Sequence, residues 1–283
     1  MNRRGFALFT VLWVVAALSS VVGASALIAK TGSLATRNRI ALTRGDWARE
    51  ACLEILLARY ARDHSLSDTV DLGRGTWCRV QLENIGAKLD LNQTSPEALR
   101  RIIGSDSLVD ALLDWRDRDE LPRPLGAEAD WYRAASRRLP RNGPLADITE
   151  LRLVRGFDSS RVAQLSRLLD ASGSARLDIN AAPPELLSTL PGVTPELVSI
   201  VLQRRARGEQ VKSAEALLAL LSPAGRASLL GRYQEFTRQA VFAAPGLRAT
   251  VEGGVRGSAP VSRSTVYLVP TASRLAVVGR RTE

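Results

Sequence analysis

The chain has 283 residues, enough for one sizeable core or two modest ones, and its 45% apolar and 24% charged residues are typical of a globular protein. Its net charge of +10 lies almost entirely outside residues 93–229, which hold 19 basic and 18 acidic side chains and so lack the positive footprint of a nucleic-acid-binding domain. Two cysteines, a single histidine and the lack of a phosphate-binding loop, nucleophile elbow or HExxH motif lead us to expect no enzyme.

An uncharged, apolar stretch at residues 6–29 stands close to the N-terminus. It is long enough to cross a bilayer as a helix. Arg3 and Arg4 precede it, so the positive-inside rule predicts a cytoplasmic N-terminus and an exported bulk. A cleaved secretory signal peptide is the alternative, but the basic region is very short and the apolar run exceeds the usual length of about 7–15 residues.

The start of this stretch resembles a type IV prepilin signal, with the sequence RRGFALFT at residues 3–10. In that family a membrane peptidase cuts after the glycine and methylates the new N-terminal phenylalanine. The resemblance implies cleavage between Gly5 and Phe6 and N-methylation of Phe6. Residues 1–5 would then be a leader, and residues 6–29 both membrane anchor and assembly stalk.

Thr10 departs from the usual prepilin pattern, which has glutamate at the fifth position after the cleavage site. A carboxylate inside a membrane is costly unless it is paired, here with the terminal amine of a neighbouring subunit. A subunit at the very tip has no such neighbour and can lose the glutamate. By this resemblance Thr10 specifies a tip subunit, whereas drift at a single position is the alternative.

The remaining chain predicts an α+β fold. Apolar residues spaced three and four apart continue the helix to about residue 57. Short β-like runs follow at residues 76–82, 87–91, 239–243, 247–255, 265–269 and 275–278. We therefore expect a type IV pilin-like long N-terminal helix plus an antiparallel sheet. The predicted pilin-like parts are residues 30–92 and 230–283, and an α-helical domain is inserted between them at residues 93–229.

The predicted insert contains an internal repeat. Residues 89–99 (LDLNQTSPEAL) align with residues 177–187 (LDINAAPPELL), and the two copies stay in register to Gly104 and Gly192. In each copy an asparagine ends an extended segment, a proline starts a helix and a glycine turns the chain into a second helix. The pattern predicts two helix-hairpin-helix or SAM-like repeats.

One hairpin suggests a rival function. The sequence LPGVTP at residues 190–195 resembles the helix-hairpin-helix of DNA-binding proteins, so a membrane-anchored periplasmic DNA receptor of the competence type is the alternative. However, Thr194 and Pro195 replace the second hairpin glycine, and proline removes an amide from the site. In the other copy Asp106 would repel phosphate. We therefore expect no nucleic-acid partner.

The segment between the repeats is the most distinctive part of the chain. It holds DWRDRD at residues 114–119, GAEADWY at 126–132 and NGPLADITEL at 142–151. With the prepilin-like signal and Thr10, this order and spacing resembles the protein K family, the large minor pseudopilins of type II secretion systems.

The resemblance implies a non-enzymatic subunit at the tip of the pseudopilus, which primes fibre assembly and helps export folded proteins across the outer membrane. It implies partners called I and J, then H, together with the prepilin peptidase and the inner-membrane assembly platform. It also implies a single pass through the inner membrane, with the bulk of the chain in the periplasm.

Asp117, Asp119 and Glu128 are candidate calcium ligands. They lie in a proline-rich stretch near Gly126, and calcium takes six to eight oxygen ligands in flexible geometry. Calcium-stabilised loops also occur among pseudopilins. The alternative is a solvated acidic loop neutralised by Arg116, Arg118 and Arg123.

Cys52 and Cys78 are a candidate disulfide. Cys52 lies on the predicted stalk helix and Cys78 on the first predicted strand, and pilin folds pack these elements together. An exported domain permits the bond. Two buried thiols in adjacent layers are the alternative.

Overall fold

A computed structural model describes residues 3–60, 69–271 and 274–282, and describes side chains of the first helix from residue 11 onward. This described part contains the helices α1 Arg3–Tyr60, α2 Pro96–Ile103, α3 Asp106–Arg116, α4 Ala129–Ala134, α5 Ser159–Leu165, α6 Pro184–Leu187, α7 Pro195–Ala206, α8 Ala214–Leu220, α9 Pro223–Gly231 and α10 Tyr233–Gln239. Its strands are β1 Thr69–Gly73, β2 Thr76–Asn84, β3 Leu89–Asp90, β4 Leu169–Asp170, β5 Leu177–Asp178, β6 Ala240–Val241, β7 Leu247–Val255, β8 Ser262–Pro270 and β9 Leu275–Thr282.

Five of the strands form one sheet in the order β1-β2-β7-β8-β9. β1 and β2 are antiparallel neighbours, with Val70 opposite Cys78. β2 and β7 are neighbours in the sheet although all ten helices except α1 lie between them in the described chain. The predicted α+β fold, a long N-terminal helix with an antiparallel sheet and a helical segment between its strands, is therefore confirmed at this level.

The chain divides into two compact units. The first comprises Met1–Gln81, Thr250–Val266 and Arg280–Glu283, and the second comprises Leu82–Ala249 and Tyr267–Gly279. The insert boundaries predicted at residues 93 and 229 stay predictions.

In the first unit, α1 begins to bury side chains only near its C-terminal end. Gly45, Ala48, Cys52 and Leu56 are buried at spacings of three and four, which is one face of a helix. Gly45 lies so close to β7 and the β7–β8 turn that a Cβ atom there would stand 2.2 Å from the Val261 side chain. The helix backbone therefore packs directly against the strands at this point.

In the second unit, helices α2 to α10 enclose a continuous apolar core. Its largest fully buried side chains include Trp115, Tyr132 and Phe236. The local signals agree with the helix starts: Ser95 caps α2 by accepting a hydrogen bond from the Ala98 amide, and Gly104 ends α2 in the left-handed region at φ 68°.

The two copies of the sequence repeat have the same local structure. Each starts with a two-residue parallel ladder, β3 with β4 and β5 with β6. The Asn92 side chain makes two hydrogen bonds with Leu145, 53 residues away. Its Oδ1 accepts from the Leu145 amide at 2.8 Å, and its Nδ2 donates to the Leu145 carbonyl at 3.0 Å. Asn180 makes the same pair of bonds with Val211, at 2.8 and 2.9 Å.

Arg116 and Arg205 are also equivalent in the two copies. Arg116 donates to the carbonyls of Leu91 and Thr94, and Arg205 donates to those of Ile179 and Ala182. Each guanidinium therefore fixes the turn that opens its own repeat. Burial lowers the pKa of both arginines. The repeat is thus a pair of equivalent strand–turn–helix units, and its assignment to the helix-hairpin-helix or SAM class stays a prediction.

Two of the predicted β runs lie outside the five-stranded sheet. The run predicted at residues 87–91 forms only β3, and that at 239–243 forms only β6. Both lie in two-stranded ladders outside the five-stranded sheet. Strand β1 was not predicted, because its sequence TVDLG carries only a short apolar alternation.

Candidate functional site

The loop between α3 and α4 brings three predicted carboxylates together. Asp117 follows the last residue of α3 and Glu128 precedes the first residue of α4. With Asp119, they offer carboxylate oxygens that all lie within 4.8 Å of one another. Glu128 is buried, Asp117 is half-buried and Asp119 is exposed, so the cluster opens toward solvent on one side.

Several of these oxygens lack partners within the described residues. Both carboxylate oxygens of Glu128 and Oδ1 of Asp117 are buried without a hydrogen bond. Burial, and then the charges of Asp114, Asp117 and Asp119, raise the pKa of Glu128 to about 7. A buried, unsatisfied carboxylate is costly, and a bound cation would remove that cost.

Arg123 neutralises only part of the loop. Its guanidinium contacts Asp114 at 2.6 Å and also pairs with Asp117. Arg116 is directed to backbone carbonyls in its repeat instead. An arginine therefore neutralises Asp114 and pairs with one carboxylate oxygen of Asp117. Among the described residues, no arginine pairs with Glu128.

Gly126 lets the loop pass over Asp114. A Cβ atom at Gly126 would stand 1.9 Å from Oδ2 of Asp114, a distance that no side chain can occupy. The Gly126 carbonyl accepts a hydrogen bond from Arg155 at 2.8 Å, which holds the loop from outside. The chemistry of this donor set, three carboxylates beside a turn, fits a hard cation that prefers oxygen ligands, such as calcium.

Asp114 was missed as a member of this site. It is completely buried, with 0% of its surface exposed, and it lies four residues after the buried Asp110 on one face of α3. Two aspartates on the apolar face of a helix are the signal that could have identified it, because a buried carboxylate needs a partner.

Cys52 and Cys78 form a disulfide in the structure, with Cα atoms 5.9 Å apart. The bond joins α1 to β2 within the first unit. Both cysteines are buried, at 1% and 0% exposure.

The N-terminal part of α1 is a candidate membrane span. Within Val11–Tyr60 the helix is long and apolar enough to cross a membrane, with a mean hydropathy of 2.2 over its most apolar window and none of that window buried. The side chains of Gly5, Phe6 and Thr10 lie outside the described residues, so the predicted processing site and the role of Thr10 stay predictions.

The hairpin at Gly192 packs against its own unit. A Cβ atom at Gly192 would stand 2.8 Å from the Ser228 carbonyl of α9, and the Ser228 hydroxyl donates to the Gly192 carbonyl at 3.2 Å. Gly192 therefore allows the hairpin to pack closely against α9. This packing explains the glycine without a role in binding phosphate.

Comparisons with known proteins find similarity to one family. Residues 83–172 match the family model described as Type II secretion system (T2SS), protein K. Type II secretion system protein K of Klebsiella pneumoniae is 33% identical over 130 residues, which cover 44% of this chain. The matched segment spans only 35% of that relative.

A solved structure shares the fold. The crystal structure of the GspK-GspI-GspJ complex from the type 2 secretion system of enterotoxigenic Escherichia coli contains a chain that superposes with a TM-score of 0.63 at 18% identity. The superposition covers 84% of this chain and 94% of that one. The resemblance seen in the sequence is confirmed for residues 83–172, which match the family model of type II secretion system protein K.

Proposed function

We propose that this chain is a minor pseudopilin of the protein K type, a non-enzymatic subunit at the tip of the type II secretion pseudopilus. The observation that carries the proposal is the protein K match at residues 83–172, in a chain that also has an apolar N-terminal helix. The subunit would prime fibre assembly and help export folded proteins across the outer membrane. Its partners would be the minor pseudopilins I and J, then H, with the inner-membrane assembly platform.

The proposed mechanism is assembly rather than chemistry. The prepilin peptidase would cut between Gly5 and Phe6, and the freed stalk would pack beside the stalks of its partners in the inner membrane, with the N-terminus cytoplasmic and the bulk periplasmic. The fold shared with a chain of a GspK-GspI-GspJ complex supports such partners. Thr10 and the size of the helical unit support a tip position, since both oppose the addition of a subunit above.

We further propose that calcium binds at Asp117, Asp119 and Glu128 as a structural ion. The unsatisfied oxygens of Glu128 and Asp117 support this. These two residues flank the loop and Asp119 lies within it, so one ion would tie the end of α3 to the start of α4. A calcium ion would also offset the repulsion among four neighbouring carboxylates, which one arginine offsets only in part.

Gold labelling of isolated pseudopili tests the proposed position. If the chain is a tip subunit, label should appear at fibre ends, and deleting residues 93–229 should relax the steric block. Label along the length of the fibre would refute the tip position.

A further inference from the structure

The part of α1 between its apolar stretch and its first buried residue is strongly cationic. Residues 30–44 contain Lys30, Arg37, Arg39 and Arg44, and no acidic residue precedes Asp46 in the chain. All four cationic side chains are exposed. Asp46 pairs with Arg49 at 3.6 Å, and among the described side chains these four cations form no ion pair.

Three of these cations lie on one stripe of the helix. Lys30, Arg37 and Arg44 are spaced by seven residues, over which an α-helix drifts by only about 20°. Arg39 lies on a different face, because two further residues turn the helix by more than half a turn. Each cation of the stripe follows an apolar residue by three positions: Leu27, Leu34 and Ala41.

This arrangement fits the edge of a helix–helix contact. Apolar residues at seven-residue spacing form a stripe that can pack along a neighbouring helix, and charged residues that flank such a stripe can form interhelical ion pairs. Leu34 lies beyond the predicted membrane stretch and is 50% exposed, so nothing in the described chain covers it. Carboxylates at the matching positions of a partner helix would pair with the three cations.

Anionic lipid headgroups cannot serve the whole stripe. At 1.5 Å per residue Arg44 lies about 21 Å along the axis beyond Lys30. Each headgroup layer is only about 5–8 Å thick, and a surface charge is screened within roughly 10 Å. Lipid could therefore reach Lys30, whereas a helix that runs parallel to α1 reaches all three cations.

More cations follow the apolar stretch than precede it. Two cations, Arg3 and Arg4, precede it, but four follow it within 15 residues. On the exported side of a membrane such cations oppose correct insertion. We therefore expect the four cations that follow the stretch to have a function after export, because they oppose membrane insertion.

We propose that Lys30, Arg37 and Arg44 form a cationic seam that docks the parallel stalk helix of another minor pseudopilin, one that carries a carboxylate at every seventh residue just beyond its own membrane span. The inference rests on the proposed function, because it takes its partner from the same fibre. It adds the partner's chemistry and the register of contact.

The test is recovery of partners by the full-length chain. The chain is co-expressed with full-length I, J and H, reconstituted in nanodiscs of zwitterionic phosphatidylcholine, and affinity-purified. The variants are Arg44→Glu, Lys30→Glu and the triple variant K30E/R37E/R44E, and the matched control is Arg39→Glu. The melting temperature of residues 30–283, called the exported domain here, is measured for each variant to show that the domain still folds.

The triple variant should reduce recovery of at least one partner roughly tenfold, as expected for three exposed ion pairs that become repulsive. Arg39→Glu should leave recovery unchanged, and lysine at the partner's carboxylates should restore binding to the triple variant. Equal loss with Arg39→Glu and Arg44→Glu would overturn the seam, and so would a loss seen with Lys30→Glu but not with Arg44→Glu. If the unmodified chain recovers no partner, the proposed function itself fails, and the seam with it.

Discussion

At the scale of single residues, Glu128 is the most informative side chain. Both its carboxylate oxygens lack partners among the described residues, and burial, followed by the charges of three other carboxylates, raises its pKa. Its contribution to stability therefore depends on what occupies the loop.

Glu128→Gln should affect the stability of the calcium-free and the calcium-bound loop differently. In the presence of a chelator at pH 8, the variant should melt at the same or a higher temperature than the unmodified domain, because it removes a repelled buried charge. In millimolar calcium the unmodified domain should gain stability by mass action, whereas the variant should gain much less. Glu120→Gln is the control, since Glu120 is exposed in the same loop and lies outside the cluster. A calcium response that survives Glu128→Gln, or that is absent from the unmodified domain, would contradict the site.

The pH dependence of the calcium-free domain follows from the same pKa. In the folded state Glu128 keeps its proton up to about pH 7, whereas in the unfolded chain it loses the proton near pH 4.5. Its contribution is therefore fully favourable below about pH 4.5 and is lost as the pH rises through 7. Chelator-treated domain should melt at a lower temperature at pH 8 than at pH 5.5. Glu128→Gln should remove most of that difference.

At the scale of elements, the disulfide fixes the contact between α1 and β2. It closes a loop between residues 26 positions apart, which corresponds to about 3 kcal/mol of loop entropy. The double variant C52S/C78S should lower the melting temperature of the exported domain by several degrees, and reducing agent should do the same to the unmodified domain but not to the variant. Insensitivity of the unmodified domain to reductant would mean that the two cysteines are not bonded in solution.

Local patterns in the sequence predicted the elements well where one face of a helix or strand is buried. The run predicted at residues 247–255 has the same bounds as β7, and the repeat predicted the turns at Asn92 and Asn180. The pairing of those asparagines with Leu145 and Val211 was not predictable, because it depends on contacts 53 and 31 residues away.

An ion-pair network in the second unit was missed for the same reason. Arg248 contacts Asp170 at 2.8 Å and also Glu83, and Lys88 binds Glu83 at 3.0 Å. Arg248 and Glu83 are 165 residues apart. These contacts lower the pKa of Asp170 and Glu83 although burial opposes the shift. No short-range pattern indicates such a network, whereas the carboxylates of the α3–α4 loop were predicted because they are near in sequence.

At the scale of the whole molecule, processing at the membrane is the first requirement of the proposed function. Intact mass of the protein extracted from membranes should show a chain that begins at methylated Phe6. Removal of the leader and methylation need only the prepilin peptidase. A chain that begins near Ala24 or Ala26 would instead indicate an ordinary secretory signal and an unanchored protein.

Assembly with other minor pseudopilins is tested by co-purification of the exported domain of this chain with those of I and J. We predict one stable complex by size exclusion that contains all three chains, and no measurable binding of DNA across a salt series. Failure to form the complex, together with micromolar DNA binding that falls steeply with salt, would contradict the claim and favour the anchored DNA receptor.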